Sequence, residues 1–452
     1  MFYPWKALSS WAPFQIDALG LLTLLGANEV DVSVGRLAPS YWLEYMPLLA
    51  GFVFAGDRIR TKQPAFTLYN VSSGIVTGNL AAWFTRWMQA QEFEVSRSVV
   101  YWEVHKIPHE QPFFVPALIS FVFTGFLLVM AMLSADWYGF TNAIAIVILI
   151  LVRSYMLQSS RNAINRTVSA AMPLPSTFNG ALKLWERRNK DSKPEAVRPT
   201  EGSRQWRPET AKILIALPDS RLVTMFIPEH LLRGVFITET GVRSPGLYRL
   251  AQWAGWLSFT IHVVTLGMAH LATQLYVIGL TVIPTVLICY GFGCDDSRIY
   301  KGWQGMWQDT KEPYIYRVGR QLTATILEWP EDVEFGRGHD GKLYRKMNLA
   351  SPQERRSTAR QDLYAWLDLT EEEQKSLWDW HLLPHTRGHD DSWWDDFKEK
   401  QRLIHENPPN IAALRHRVQA DLNSKRTRKK LFRRRCKHLD DIEKGKLSTP
   451  PA

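Results

Sequence analysis

The sequence predicts a mainly α-helical integral membrane protein. Two transmembrane helical hairpins, four spans in all, carry a small β-meander between them and a helical cytoplasmic C-terminal region. Three observations lead there. From Leu250 to Cys294 the chain has no Asp, Glu, Lys or Arg, a stretch of about 45 residues that is too long for one buried helix and suits two spans with a tight turn. A second uncharged block, Phe113 to Leu133, has the length of one span and is followed, after a short loop, by another apolar segment. Basic residues gather outside these pairs and are missing from the turns within them.

The N-terminal region, residues 1–112, reads as cytoplasmic or membrane-peripheral. Ala12 to Gly26 is apolar but contains Asp17 and lacks a strong basic flank, so it does not read as a signal peptide. Tyr45 to Gly56 is apolar and short, which suits a buried, re-entrant or surface-lying helix, with a further span over residues 39–56 as the alternative. Gln63 to Thr85 is uncharged yet full of Ser, Thr, Asn and Gly, and lack of charge alone does not make it a span.

The first hairpin, residues 113–157, opens with Phe113–Leu133, rich in Phe, Leu and Val, with Pro116 in the first turn where a missing N–H does little harm. Trp137 and Tyr138 in its loop suit a membrane interface. The second span starts near Phe140 and is strongly apolar only from Ala143 to Val152, so Arg153 must snorkel if the helix continues to Leu157. Residues 158–249 hold a polar, proline-bearing linker, Lys190 to Pro208, and three short strands expected at Lys212–Leu217, Leu222–Ile227 and Gly234–Thr238, the first two joined by a turn at Pro218–Arg221. The second hairpin, residues 250–294, begins its third span near Trp253 and Trp256 and turns around His270 to Gln274. Its fourth span runs from Leu275 to Phe292, where Pro284 should kink the helix by removing a backbone hydrogen bond. Residues 295–423 read as a helical cytoplasmic domain, with capping boxes at Ser351–Glu354 and Thr370–Glu373 and an apolar stripe of Ile411, Leu414, Val418 and Leu422.

Orientation follows from charge. Arg153, Arg161, Arg166 and Lys183 follow span two, Arg233, Arg243 and Arg249 precede span three, and Arg298 and Lys301 follow span four. Both turns should therefore face the lumen or exterior and both termini the cytoplasm, of a membrane the sequence does not specify. In that orientation the sequons at Asn70 and Asn165 stay silent and the cysteines stay reduced. The three cysteines, Cys289, Cys294 and Cys436, make no disulfide or zinc framework, and palmitoylation of Cys294 or Cys436 has only its cytoplasmic context behind it.

The net charge of +10 comes almost wholly from the polybasic tail, residues 424–452, in which Ser424–His438 holds nine Lys or Arg and no acid. Lys425, Arg426, Arg428, Lys429, Lys430, Arg433, Arg434, Arg435 and Lys437 form a polybasic run without an acid, and the rest of the chain is near neutral. On a membrane-tethered chain this run is expected to contact anionic lipid head groups. An acidic cytoplasmic protein partner or a merely solvated tail are the alternatives, and tethering argues against nucleic acid.

Several unusual strings stand in a fixed order: Leu217-Pro218-Asp219, Leu247-Tyr248-Arg249, Gly293-Cys294-Asp295-Asp296, and Asp368-Leu369-Thr370-Glu371-Glu372-Glu373 with Trp380-His381-Leu382-Leu383-Pro384. In these the chain resembles a family of polytopic membrane proteins from filamentous fungi, over roughly Trp83 to Trp394. The resemblance implies a multi-pass membrane fold and brings no activity and no catalytic residues with it.

Three polar or special residues fall within the second hairpin. His262 lies about 16 Å into span three at ~1.5 Å per residue, near the midplane, where an ionisable group is a candidate for a proton or ion path. His270 lies eight residues on and Pro284 in the partner span. The plainer reading of His262 is a neutral histidine hydrogen-bonded across helices. His381, His385 and His389 have zinc-like spacing, but Pro384 and Gly388 break the helix such a site needs. Asp390–Asp396 lacks the spacing of a magnesium-binding aspartate motif. Gly336–Lys342 puts Leu343 where a phosphate loop needs Ser or Thr, so Asp340-Gly341 reads as a turn. No catalytic residue, cofactor or metal site is expected. The favoured function is a membrane-anchored scaffold or accessory protein with cytoplasmic interaction domains, ahead of a small transporter or channel component using His262, and further ahead of a membrane-embedded enzyme.

Overall fold

Strands from three distant parts of the chain meet in one sheet. The computed structural model describes residues 27–49, 51–63, 66–104, 113–171, 210–294, 314–328, 334–346, 359–384 and 392–406. It divides into two compact units, Met1–Glu328 with Lys375–Leu382, and Trp329–Gln374 with Leu383–Ala452.

In the first unit, β1 (Thr67–Asn70), β2 (Ile75–Thr77) and β3 (Ser98–Val104) come early, β4 (Thr210–Ala216) and β5 (Leu222–Pro228) in the middle, and β6 (Tyr314–Val318) and β7 (Leu322–Glu328) late. They pair in the order β2-β1-β4-β5-β3-β7-β6, antiparallel throughout except for β3 beside β5. β4 and β5 are the expected hairpin, closed by the Leu217 N–H donating to the Arg221 carbonyl at 2.9 Å. β3, of sequence SVVYWEV, is β-branched and aromatic but buried along its first five residues, so it lacks the alternation that betrays a half-exposed strand.

An aromatic cluster covers one face. Trp83, Phe84 and Trp87 of helix α3 (Ala82–Ala90) meet Trp102 of β3 and Phe236, with centroids 4.9 Å apart for Trp102–Phe236 and 5.0 Å for Trp87–Trp102. These buried rings meet largely edge to face, an arrangement that adds to the stabilisation from their burial. α3 follows Ala81, which has no capping side chain, and the Glu239 carboxylate accepts the Ala82 N–H instead. Helix α1 (Ala27–Gly35) crosses α3 so closely that a Cβ on Gly35 would lie 2.2 Å from the Arg86 side chain. Arg86, fully buried, bonds Asp31 of α1 at 2.8 Å.

Four longer helices belong to this unit: α4 (Phe114–Leu133), α5 (Trp137–Ala171), α6 (Pro245–Met268) and α7 (Leu271–Cys289). α4 leaves after β3 and α5 returns before β4; α6 leaves after β5 and α7 returns before β6. The short helix α2 (Gly51–Ala55) is buried against α5 and α6: a Cβ on Gly51 would lie 3.3 Å from Phe259 and 3.4 Å from Leu149. At five residues it is too short to cross a bilayer.

The structure overturns the expected fold class. Among the described residues three helices, α4, α5 and α7, are long and apolar enough to cross a membrane, not four spans in hairpins. α6 has 24 residues, but Gln252, Ser258, Thr260, His262 and Thr265 dilute its hydropathy; an uncharged run is not the same as an apolar one. The expected small meander is part of a seven-stranded mixed sheet. Gly234–Thr238, expected as its third strand, lies largely in a π-helical turn, Leu232–Ile237.

The second unit holds a hairpin of β8 (Glu334–Arg337) and β9 (Leu343–Lys346) with helices α8 (Arg360–Trp366) and α10 (Ser392–Glu406). Lys400 of α10 is buried against Asp362 of α8 at 2.6 Å and lies over the Phe335 ring at 5.4 Å. Helix α9 (Glu371–Asp379) starts with a reciprocal capping box: Thr370 N–H donates to Glu373 at 3.0 Å, and Glu373 N–H to the Thr370 hydroxyl at 3.3 Å. The linker Lys190–Pro208, the Ser351 cap, His385, His389, the stripe from Ile411 to Leu422 and the polybasic tail lie outside the described residues.

Candidate functional site

His262 is buried and faces α5, where its Nδ1 lies 3.3 Å from Asn142 Oδ1. Asn142, fully buried, turns its amide back to donate to the His262 carbonyl at 2.8 Å and to the Thr265 hydroxyl at 3.1 Å. One asparagine thus pins α6 to α5 by three polar contacts. His270 has other partners: it precedes α7, its N–H donates to Asp136 at 2.9 Å, and its ring Nδ1 lies 3.8 Å from the same carboxylate. Pro284 is buried in α7, and the helix continues past it to Cys289. Beside it the Thr285 hydroxyl donates to the Thr281 carbonyl at 2.6 Å and accepts the Leu49 N–H at 3.0 Å, docking the N-terminal segment. His262 and His270 therefore serve two separate packing contacts, and Pro284 is packed within α7.

A groove of about 1410 Å³ lies between α4, α5 and the segment around Ser40–Tyr45. One face of α5 lines it at helical spacing: Val147, Leu151, Ser154, Gln158, Asn162 and Arg166. Along that face the side chains pass from apolar to neutral polar to cationic. The α4 wall is Ala117, Phe121, Gly125 and Leu128, and a Cβ on Gly125 would meet nothing within 4 Å. Thr124 also lines the groove; its hydroxyl is buried with no hydrogen-bond partner.

The polar end is organised by Glu44. Its carboxylate bonds Arg161 at 2.6 Å and accepts the Ser40 N–H at 3.0 Å, and Arg153 donates to its backbone carbonyl at 2.6 Å. Burial pushes the Glu44 carboxyl up, but Arg161, the Ser40 N–H and Arg153 outweigh it and hold the group below its ordinary value. Each guanidinium nitrogen of Arg161 donates, to Glu44 and to the Leu37 and Ala38 carbonyls. Three more arginines line the same groove. Arg166 donates to the Gly241 carbonyl at 3.5 Å, which brings the Arg243 loop alongside; Asn165 accepts the Arg320 N–H at 2.8 Å, which brings in the β6–β7 turn. Gly319 in that turn has φ +62°, and a Cβ there would fall 2.3 Å from Asn165 Oδ1, so only glycine allows this approach. Among the described residues Arg166, Arg243 and Arg320 have no carboxylate partner and are exposed.

Sequence reasoning passed over Asp136, Asn142 and Glu44. Each left a signal: a lone acid before a helix, a lone amide in an apolar block, and a lone acid in a short apolar segment. Asn70 is buried in β1 and Asn165 is committed to Arg320, which gives both sequons a structural role. Cys294 is buried. Asp340 and Gly341 form the β8–β9 turn, with Gly338 N–H donating to the Lys342 carbonyl at 2.9 Å. Among the described residues no three His, Cys, Asp or Glu side chains group as metal ligands. No protein-family model, curated protein or solved structure matches the chain.

Proposed function

We propose that the protein is a membrane-anchored accessory protein, held through the apolar surfaces of α4, α5 and α7 with α6 packed against α5, whose sheet unit and C-terminal region serve as cytoplasmic interaction modules. The observation that carries this is where the exposed apolar side chains lie. Phe114, Phe121, Met132, Trp137, Leu151 and Ile283 are each more than half exposed on these helices, whereas the sheet has few such residues. Water does not tolerate so continuous an apolar surface, and a bilayer does. The sheet side of the helices carries Arg153, Arg161, Arg166 and Arg243; the turns at Ser134–Asp136 and Ala269–His270 carry no Lys or Arg. That asymmetry supports a cytoplasmic sheet. The Asn142 contact gives His262 a packing role, which favours anchoring over conduction. The polybasic tail from Lys425 to Lys437 adds attraction to anionic lipid. The likeness to the fungal polytopic family rests on its strings alone and supplies no activity.

Alkaline carbonate extraction of cell membranes should leave the full chain in the pellet, and release into the supernatant would remove the anchoring reading. Tyr138→Cys should react with a membrane-impermeant maleimide from the non-cytoplasmic side; labelling from the cytoplasm alone would reverse the orientation. Purification from mild detergent, with identification of the proteins retained, tests the accessory role; a chain that retains none does not have it.

A further inference from the structure

The groove between α4 and α5 has a chemical gradient. From Val147 to Arg166 along α5 is about 28 Å at ~1.5 Å per residue, longer than one bilayer leaflet is deep and close to a phospholipid from acyl tail to head group. Its inner half is walled by Ala117, Phe121, Leu128, Val147 and Leu151, with open space beside Gly125. Ser154 and Gln158 follow at the depth where α4 begins, the level at which ester carbonyls would need donors. Arg166, Arg243 and Arg320 close the outer end, gathered from three chain segments by the Asn165–Arg320 and Arg166–Gly241 contacts. The one acid in the lining, Glu44, is committed to Arg161 and the Ser40 N–H, so it does not offset them.

We propose that this groove binds one anionic glycerophospholipid, with an acyl chain between α4 and α5 and the phosphate at Arg166, Arg243 and Arg320. The inference rests on the membrane reading above and adds to it a defined ligand. Charge complementarity selects the occupant: a neutral sterol or triglyceride would leave three arginines facing an uncharged end, and a free phosphate would leave the apolar half empty. Guanidinium groups suit a phosphate by their paired N–H donors. The residues of this site are not those of the polybasic run, Lys425 to Lys437.

The test uses the full chain expressed in membranes, reconstituted into nanodiscs of phosphatidylcholine containing phosphatidylglycerol, then extracted in mild detergent. A high-salt wash strips lipid held by the tail alone, because screening removes exposed charge attraction. Native mass spectrometry and lipid analysis then count the phospholipid retained. The wild type should keep about one phosphatidylglycerol per chain, in preference to phosphatidylcholine. The triple variant Arg166→Gln/Arg243→Gln/Arg320→Gln should lose at least tenfold of that anionic lipid. Gly125→Leu, which fills the apolar half, should lose it too while leaving the arginines intact. Retention unchanged in either variant overturns the proposal, as does equal retention of both lipids by the wild type. Each variant must resist carbonate extraction like the wild type. A wild-type chain released by carbonate would defeat the membrane reading itself, whereas a membrane-held chain without selective lipid defeats only the groove.

Discussion

Asp136 and His270 join the turn between α4 and α5 to the turn between α6 and α7: the Asp136 carboxylate accepts the His270 N–H at 2.9 Å while its other oxygen accepts the Gly139 N–H at 2.8 Å. One buried side chain thereby serves the first turns of α5 and α7 at once, placing a negative charge at the positive end of two helix dipoles. Gly139 is required by this closeness, since a Cβ there would fall 2.5 Å from Asp136 Oδ2 and 2.7 Å from Thr273.

Removing that carboxylate strands two buried N–H groups. Asp136→Ala should cost about 2–4 kcal/mol, a cap and an unsatisfied donor together, and Asp136→Asn about half of that because one acceptor survives. Thermal unfolding of the detergent-solubilised chain measures both. An Asp136→Ala variant as stable as wild type would show that water replaces the carboxylate.

Glu44 makes the chain acid-sensitive. Its folded pKa is depressed, so its stabilisation is present above the ordinary carboxylate value and is lost as pH falls through the lowered one. Glu44→Gln leaves Arg161 buried without its counter-charge and should destabilise by about 3 kcal/mol near neutral pH. The gap between variant and wild type should narrow in acid. A gap independent of pH would mean that shape rather than charge holds the segment.

Glu239 has the opposite sign. Burial holds its carboxyl above the ordinary value, against the lesser pull of the Ala82 N–H, so its cost is present at neutral pH and falls as pH drops through the raised pKa. Glu239→Gln keeps an acceptor for Ala82 and should unfold at least as high as wild type at neutral pH. Glu239→Ala removes the cap of α3 and should lose about 1 kcal/mol.

The Asn142–His262 contact predicts a separation of stability from function. His262→Phe should lower stability by roughly 1–2 kcal/mol through the buried amide left short of a partner, and leave partner retention unchanged at equal abundance. Loss of the biological role with abundance intact would instead favour transport.

Thr124→Val tests the unpartnered hydroxyl on the groove wall. Exchange for an isosteric methyl removes a buried polar group and should raise stability by up to about 1 kcal/mol. A decrease would mean that the hydroxyl has a partner within the groove.

Periodicity and charge counting marked the helices because their signals are local. The apolar run from Phe113, the uncharged stretch after Arg249, the Thr370 capping box and the β4–β5 turn all rest on residues near one another in sequence. Most of the sheet was not legible. β3 is buried on both faces and shows no alternation, and its partners Leu222–Pro228 and Leu322–Glu328 stand more than a hundred residues away. The groove was hidden for a similar reason: Arg166, Arg243 and Arg320 are unremarkable surface arginines until Asn165 and Gly241 bring their segments together.

The sequence by itself determined that this chain has long apolar helices, turns poor in basic residues and a charged tail, since hydropathy and charge are sums over neighbouring residues. Tertiary structure alone decided the seven-stranded sheet and the use of His262 as a pin and of Asp136 as a shared cap. Each of those depends on which distant group a polar atom or a strand edge meets, and a buried hydrogen bond carries no mark of its partner in the linear chain.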